Sequence, residues 1–142
     1  MTFSGINFLA ILVSTLLLIA LGSLWFGPKT LFPIWWRAMG YTPDEMPNEG
    51  KGMFEVFASI TIAALVQSTT LALVIHALEV KDLVGGSLAG LIIGIGFTAA
   101  PALSHRLFAH HSFDTNGFKI WAIETFPDVI NLAIIGGVIA VW

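Results

Sequence analysis

Glu124, Asp128 and Asn131 stand at i, i+4 and i+7, so a helix carrying them places two carboxylates and a carboxamide on one face. The run that follows, Val129–Trp142, holds 14 residues without a charge. That is about 21 Å of helix at 1.5 Å per residue, short of a bilayer core of about 30 Å. To span, this helix must draw Asp128 into the hydrocarbon and bring Glu124 to its boundary. An Asp at the centre of a span costs about 2.5–3.5 kcal/mol on insertion scales, so the face must look inward, find partners or take up a proton. Three arrangements satisfy that demand. Asp128 pairs with a cation at the end of the preceding span and clasps two helices; or the face is a proton or cation site; or the helix stops short with Glu124 among the headgroups. Pro127 leaves the carbonyl four residues earlier without its donor, which predicts a kink beside the carboxylates.

Partners are near in sequence. His105 and Arg106 close the preceding hydrophobic run, His110 and His111 follow in the link, and Glu55 opens another span expected on the same side. Gln67 falls near the middle of its span, on a stripe with Ser59 and Thr70, and a Gln at that depth wants an interhelical hydrogen bond. The expected intramembrane polar site is therefore Glu124, Asp128, Asn131, Gln67, His105 and Arg106. His105, His110 and His111 are weak metal candidates, because neither H-x-x-x-H nor H-E-x-x-H spacing occurs. No metal and no cofactor is expected, and no nucleophile–base pair stands out. His76 and Glu79 read as interfacial residues.

The elements that must position these residues are set by where charge is missing. The first 28 residues carry none, Val56–Ile75 is 20 residues without one, and Leu83–Ser104 is 22. Each is long enough to cross a bilayer as a helix. With the C-terminal run this predicts an all-α polytopic membrane protein, a single bundle of four transmembrane helices over about 6–26, 54–78, 83–104 and 118–142. Only 11% of the chain is charged, far below the roughly 25% of soluble domains. A net charge of −3 offers no basic surface for nucleic acid, and the absence of cysteine excludes disulfides and thiol chemistry. The first span reads as a retained helix, not a secretory signal, for it lacks a basic leader and a small-residue cleavage site.

Between the first two spans, Leu31, Phe32, Trp35, Trp36 and Met39 recur at helical spacing beside Arg37, which predicts a short interfacial amphipathic helix within 29–40. Trp25, Trp35, Trp36, Arg37 and Trp142 are the expected interfacial anchors. Gly86, Gly90 and Gly94 recur every four residues and make a groove for close helix packing, within the subunit or between subunits. Lys29, Arg37, Lys51, Arg106 and Lys119 lie on one side of the spans and Lys81 on the other. That bias places loops 27–53 and 105–117 in the cytoplasm and both termini outside, in the cell membrane.

Asn7 near the start of the first span, the exit Gly22–x–x–Trp25–Phe26 and the segment from Trp36 to Gly40 resemble the DUF1761 family of small membrane proteins of unknown function. The Gly-rich third span, Phe108, Gly136, Gly137 and Trp142 fit the same pattern. The resemblance implies four transmembrane helices and brings no activity and no functional residues. The function expected from the whole chain is non-enzymatic: an integral membrane protein in the lipid bilayer, acting as a homo-oligomer or as an accessory subunit beside other membrane subunits. The alternative is a small proton- or cation-linked transporter or channel that uses the Glu124, Asp128 and Asn131 face.

Overall fold

The computed structural model describes residues 5–45, 52–109 and 115–142, and among them every regular element is helical. The order is α1 (Phe8–Trp25), α2 (Phe32–Ala38), a 3₁₀ turn at Pro43–Glu45, α3 (Met53–Ala77), α4 (Leu83–Ile93), a widened π turn at Gly94–Ala99, α5 (Ala100–Ala109) and α6 (Thr115–Val141). Four helices are long and apolar enough to cross a membrane: α1, α3, the continuous Leu83–Phe108 rod formed by α4 and α5, and α6.

Local chemistry sets the helix ends. The Asn7 side chain accepts from the amides of Leu9 and Ala10, at 3.0 and 3.2 Å, and so caps α1. At the far end of α1 the Thr30 hydroxyl sits 2.6 Å from the Trp25 carbonyl, which also accepts from the Leu31 amide, and 2.9 Å from that of Leu24, the acceptor that Pro28 cannot serve. Asp82 caps α4 through the Gly85 amide at 2.8 Å. The third span runs past the expected stop near Ser104, through Pro101. The proline ring has no N–H and would collide with the carbonyl four residues back in a regular α-turn. The π turn before it opens that geometry, and the Trp121 indole N–H donates to the Ala99 carbonyl at 2.7 Å. Likewise α6 continues as a helix through Pro127.

The closest packing is α4 against α6, which run antiparallel. A Cβ placed on Gly86 would strike the Gly136 carbonyl and Ala140, and one on Gly90 would strike the Leu132 carbonyl. At Gly94 it would come 3.0 Å from the Cα of Val129. The glycine groove therefore faces α6 of the same chain. Small residues also join α1 to α3, with Ala10 and Ser14 buried on one helix and Ala64, Ser68 and Ala72 on the other. Leu18, Ala64, Leu71, Ile75, Leu132 and Ile135 form the apolar core between α1, α3 and α6. That core occupies only the second half of α3. From Gly52 to Ala63 every residue is exposed except the half-buried Ala58.

Candidate functional site

Glu124 is the best-connected polar side chain of α6. Arg106, from α5, grips it with two hydrogen bonds, Nε to Oε2 and Nη2 to Oε1, both 2.6 Å. The Trp35 indole of α2 donates to Oε1 at 2.8 Å. A planar guanidinium matches a carboxylate in this paired way, and the indole occupies a further lone pair. One carboxylate thus ties α2, 89 residues earlier in the chain, to the neighbouring helices α5 and α6. Seven residues on, Asn131 is buried and its Oδ1 accepts from the Trp25 indole at 3.1 Å. The shared face of Glu124 and Asn131 is accordingly turned toward α1, α2 and α5.

Asp128 differs from both. On the helix it falls between the directions of Ile135 and Leu132, which are 0% and 4% exposed, yet Asp128 itself is exposed. It forms no hydrogen bond and no ion pair with any described residue. The cation that the sequence assigns to it, Arg106, goes to Glu124 instead. The core that α3 builds with Leu132 and Ile135 ends at Ala64, and the preceding residues of α3 are exposed, as Asp128 is.

The other expected members of the site are scattered. Gln67 is exposed on α3, away from the buried stripe of Ala64, Ser68 and Leu71, and His105 is exposed on α5. His110 and His111 lie outside the described residues. Among the described residues, no three His, Asp or Glu side chains come together as metal ligands.

The tryptophans are bonded within the protein. Trp25 and Trp35 donate their N–H groups to Asn131 and Glu124, and Trp36 donates to the Thr42 carbonyl at 2.9 Å. Trp36 is buried and stacks on Tyr41 with ring centroids 4.4 Å apart. Arg37 is exposed and its Nε donates to the Pro33 carbonyl at 3.1 Å, while Trp142 is exposed and its carbonyl accepts from Asn7 at 3.1 Å. Beyond α2, the Thr42 amide donates to Glu45 at 2.7 Å, and that bond holds the Glu45 carboxyl below its ordinary range. The tryptophan-to-α6 bonds left one trace in the sequence: each spanning carboxylate or amide needs a donor, and three indoles lie in or beside the first link.

An all-helical chain with four helices able to span a membrane, clasped at one end by a carboxylate–guanidinium–indole cluster, defines a class and not an activity. The sequence model of the family described as "Protein of unknown function (DUF1761)" matches residues 9–140, nearly the whole chain, and the chain belongs to that family. Neither the curated proteins nor the solved structures contain a match to it.

Proposed function

We propose that this protein is a non-enzymatic integral membrane protein that works as an oligomer or as an accessory subunit of a larger membrane complex. The observation that carries the reading is Asp128, a carboxylate inside a span that is exposed, as is the first half of α3. With Trp142 at one membrane boundary, Asp128 lies about 9 Å inside the other, where a bare carboxylate is costly. A second chain seated on α6 and the first half of α3 would cover it and give it a donor. In this reading the four spans form a bundle in the cell membrane and α2 lies in the interface. The five-to-one Lys and Arg bias supports cytoplasmic loops at 27–53 and 105–117 and outside termini. Cysteines introduced at Asn48 and Ser112 should then stay unlabelled by an impermeant thiol reagent in intact cells while one at Val80 reacts; the reverse pattern inverts the topology.

The assembly is tested by native mass spectrometry after gentle detergent extraction. The wild type should run as a fixed oligomer or with a stoichiometric partner, and Asp128→Leu should shift it toward the single chain. A wild type that is monomeric and partnerless at all concentrations overturns the proposal.

A second reading rests on the contrast between the two carboxylates. Arg106 compensates Glu124, which leaves Asp128 as the uncompensated acid in the interior of a described span. Such a group is suited to accept and release a proton from the open side. Proton flux in liposomes that Asp128→Asn abolishes, with assembly unchanged, would favour transport over a purely structural role.

A further inference from the structure

At the end of the molecule opposite α2, the start of α1, the end of α3, the α3–α4 turn and the end of α6 enclose a cavity of about 380 Å³. Its floor is apolar and buried, made by Ala10, Ala72 and Ile75. Its rim carries an imidazole, a carboxylate and an ammonium: His76, Glu79 and Lys81. The volume is that of a small-ligand site, and an apolar floor with a few polar groups at the mouth is the usual construction of one.

Two features separate this rim from an ordinary loop. The first is that its charges are unpaired among the described residues. Glu79 and Lys81 are two residues apart and of opposite sign, yet neither forms an ion pair with a described residue, and none of the three rim side chains donates to or accepts from one. Asn7, beside them, is engaged: its amide donates to Trp142 and its oxygen accepts from two α1 amides. The second is the backbone at Glu79. The end of α3 is closed by a Glu79 N–H to His76 carbonyl bond and a Val80 N–H to Ile75 carbonyl bond, both 3.2 Å. That is the turn in which a left-handed residue follows the helix, a place where glycine is preferred. Glu79 takes it with φ at 55°, and among the described residues it is the one non-glycine with positive φ. A side chain held at a strained position where glycine would be easier is a mark of use.

We propose that this cavity binds a zwitterionic amphiphile, its cationic group against Glu79, its anionic group against Lys81 and His76, and a short apolar part on the Ala10–Ala72–Ile75 floor. That chemistry has two sources: the headgroup of a zwitterionic phospholipid such as phosphatidylethanolamine, or a free zwitterion such as leucine.

The test uses the full chain in nanodiscs of phosphatidylglycerol, which lacks the ammonium. Phosphatidylethanolamine is titrated into the lipid, or leucine into the buffer, and bound ligand is read by native mass spectrometry. Saturable binding of either one is expected, the first assigning the site to lipid and the second to a soluble ligand. Glu79→Gln and Lys81→Gln should each weaken it by about tenfold, the loss of one charge-assisted contact. Glu79→Gly is the decisive variant: it relieves the turn, so the chain should melt higher, while ligand binding should fall as with Glu79→Gln. Absence of saturable binding of both ligands by the wild type, or binding that Glu79→Gly leaves unchanged, would overturn the proposal.

Discussion

The seam between α4 and α6 and the first half of α3 are both apolar, and they meet opposite fates. Along the seam the backbones touch, because Gly86 and Gly90 face Gly136 and Leu132 with no side chain between. Over Gly52–Ala63, Phe54, Val56, Phe57, Ile60 and Ile62 are all exposed. In water the second segment would be the stickier of the two. In lipid it is not, since acyl chains are as apolar as Phe or Ile and burial against protein brings no hydrophobic gain. What remains is close packing, and close packing needs small residues. The two halves of α3 show the same rule within one helix. Its second half presents Ala64, Ser68 and Ala72 every four residues and joins α1; its first half has only the half-buried Ala58 off the exposed surface.

The sharpest way to break this comparison is to put a side chain into the seam. Gly90→Ala adds one methyl, which lands on the Leu132 carbonyl, so backbone must move. Overpacking of this kind costs about 1–3 kcal/mol or more, and Gly90→Leu should exceed it. Gly96, on the same rod, has open space where its Cβ would stand. Gly96→Ala should therefore melt within a degree or two of the wild type in detergent, while Gly90→Ala loses many degrees. Equal melting of the two variants would mean that the seam does not hold the helices.

The next largest effect concerns the clasp that takes over where the glycines end. Arg106→Met strands the Glu124 carboxylate beside the Trp35 indole with its main counter-charge gone. Losing one member of a fully buried pair costs about 3–5 kcal/mol; with side chains 32% and 21% exposed, solvent screening brings this to about 1–2 kcal/mol. Adding Glu124→Leu should recover most of that loss, because the stranded charge goes too. Thermal melts of the single and double variants check it, and a double variant no more stable than Arg106→Met would show that the clasp acts through something other than charge.

How far all this could be read in advance follows the same physics. Missing charge marks the spans, because hydrocarbon excludes charge wherever a helix sits, so Phe8–Trp25 and Met53–Ala77 fall within two residues of the expected bounds. The third span outran its expected end at Ser104, where the charge-free run stops, because the helix carries on through Arg106, whose charge is met by Glu124. Periodicity says which residues share a face; it does not say which face another helix covers. Glu124, Asp128 and Asn131 do share one by spacing, but Arg106 turns its Nε and Nη2 to Glu124 alone, and the sequence gives no means of choosing Glu124 over Asp128. On α3 the polar pattern pointed to Ser59, Gln67 and Thr70, all exposed, whereas the buried stripe is one of size: Ala64, Ser68, Ala72. The cavity beside His76 and Glu79 is assembled from four chain segments and has no local signature at all.

The smallest effect tests whether size alone makes that stripe. Ser14 and Ser68 are fully buried, and neither hydroxyl has a hydrogen-bond partner. A serine here contributes its smallness and brings a polar group that has lost water without replacing it. Alanine keeps the small volume and removes the unsatisfied hydroxyl. An unpaired buried hydroxyl costs about 1–3 kcal/mol against water, but a rotor that turns toward a carbonyl of its own helix recovers part of that. The expected outcome for Ser68→Ala is therefore a gain of about 0.5–1 kcal/mol, seen as a melting temperature a few degrees higher. Ser14→Ala should act in the same direction, and the pair should be nearly additive if each hydroxyl is alone. A loss of stability in Ser68→Ala would show that its hydroxyl is in use, through a bound water or an ion held between α1 and α3, and that the stripe is chosen for chemistry as well as size.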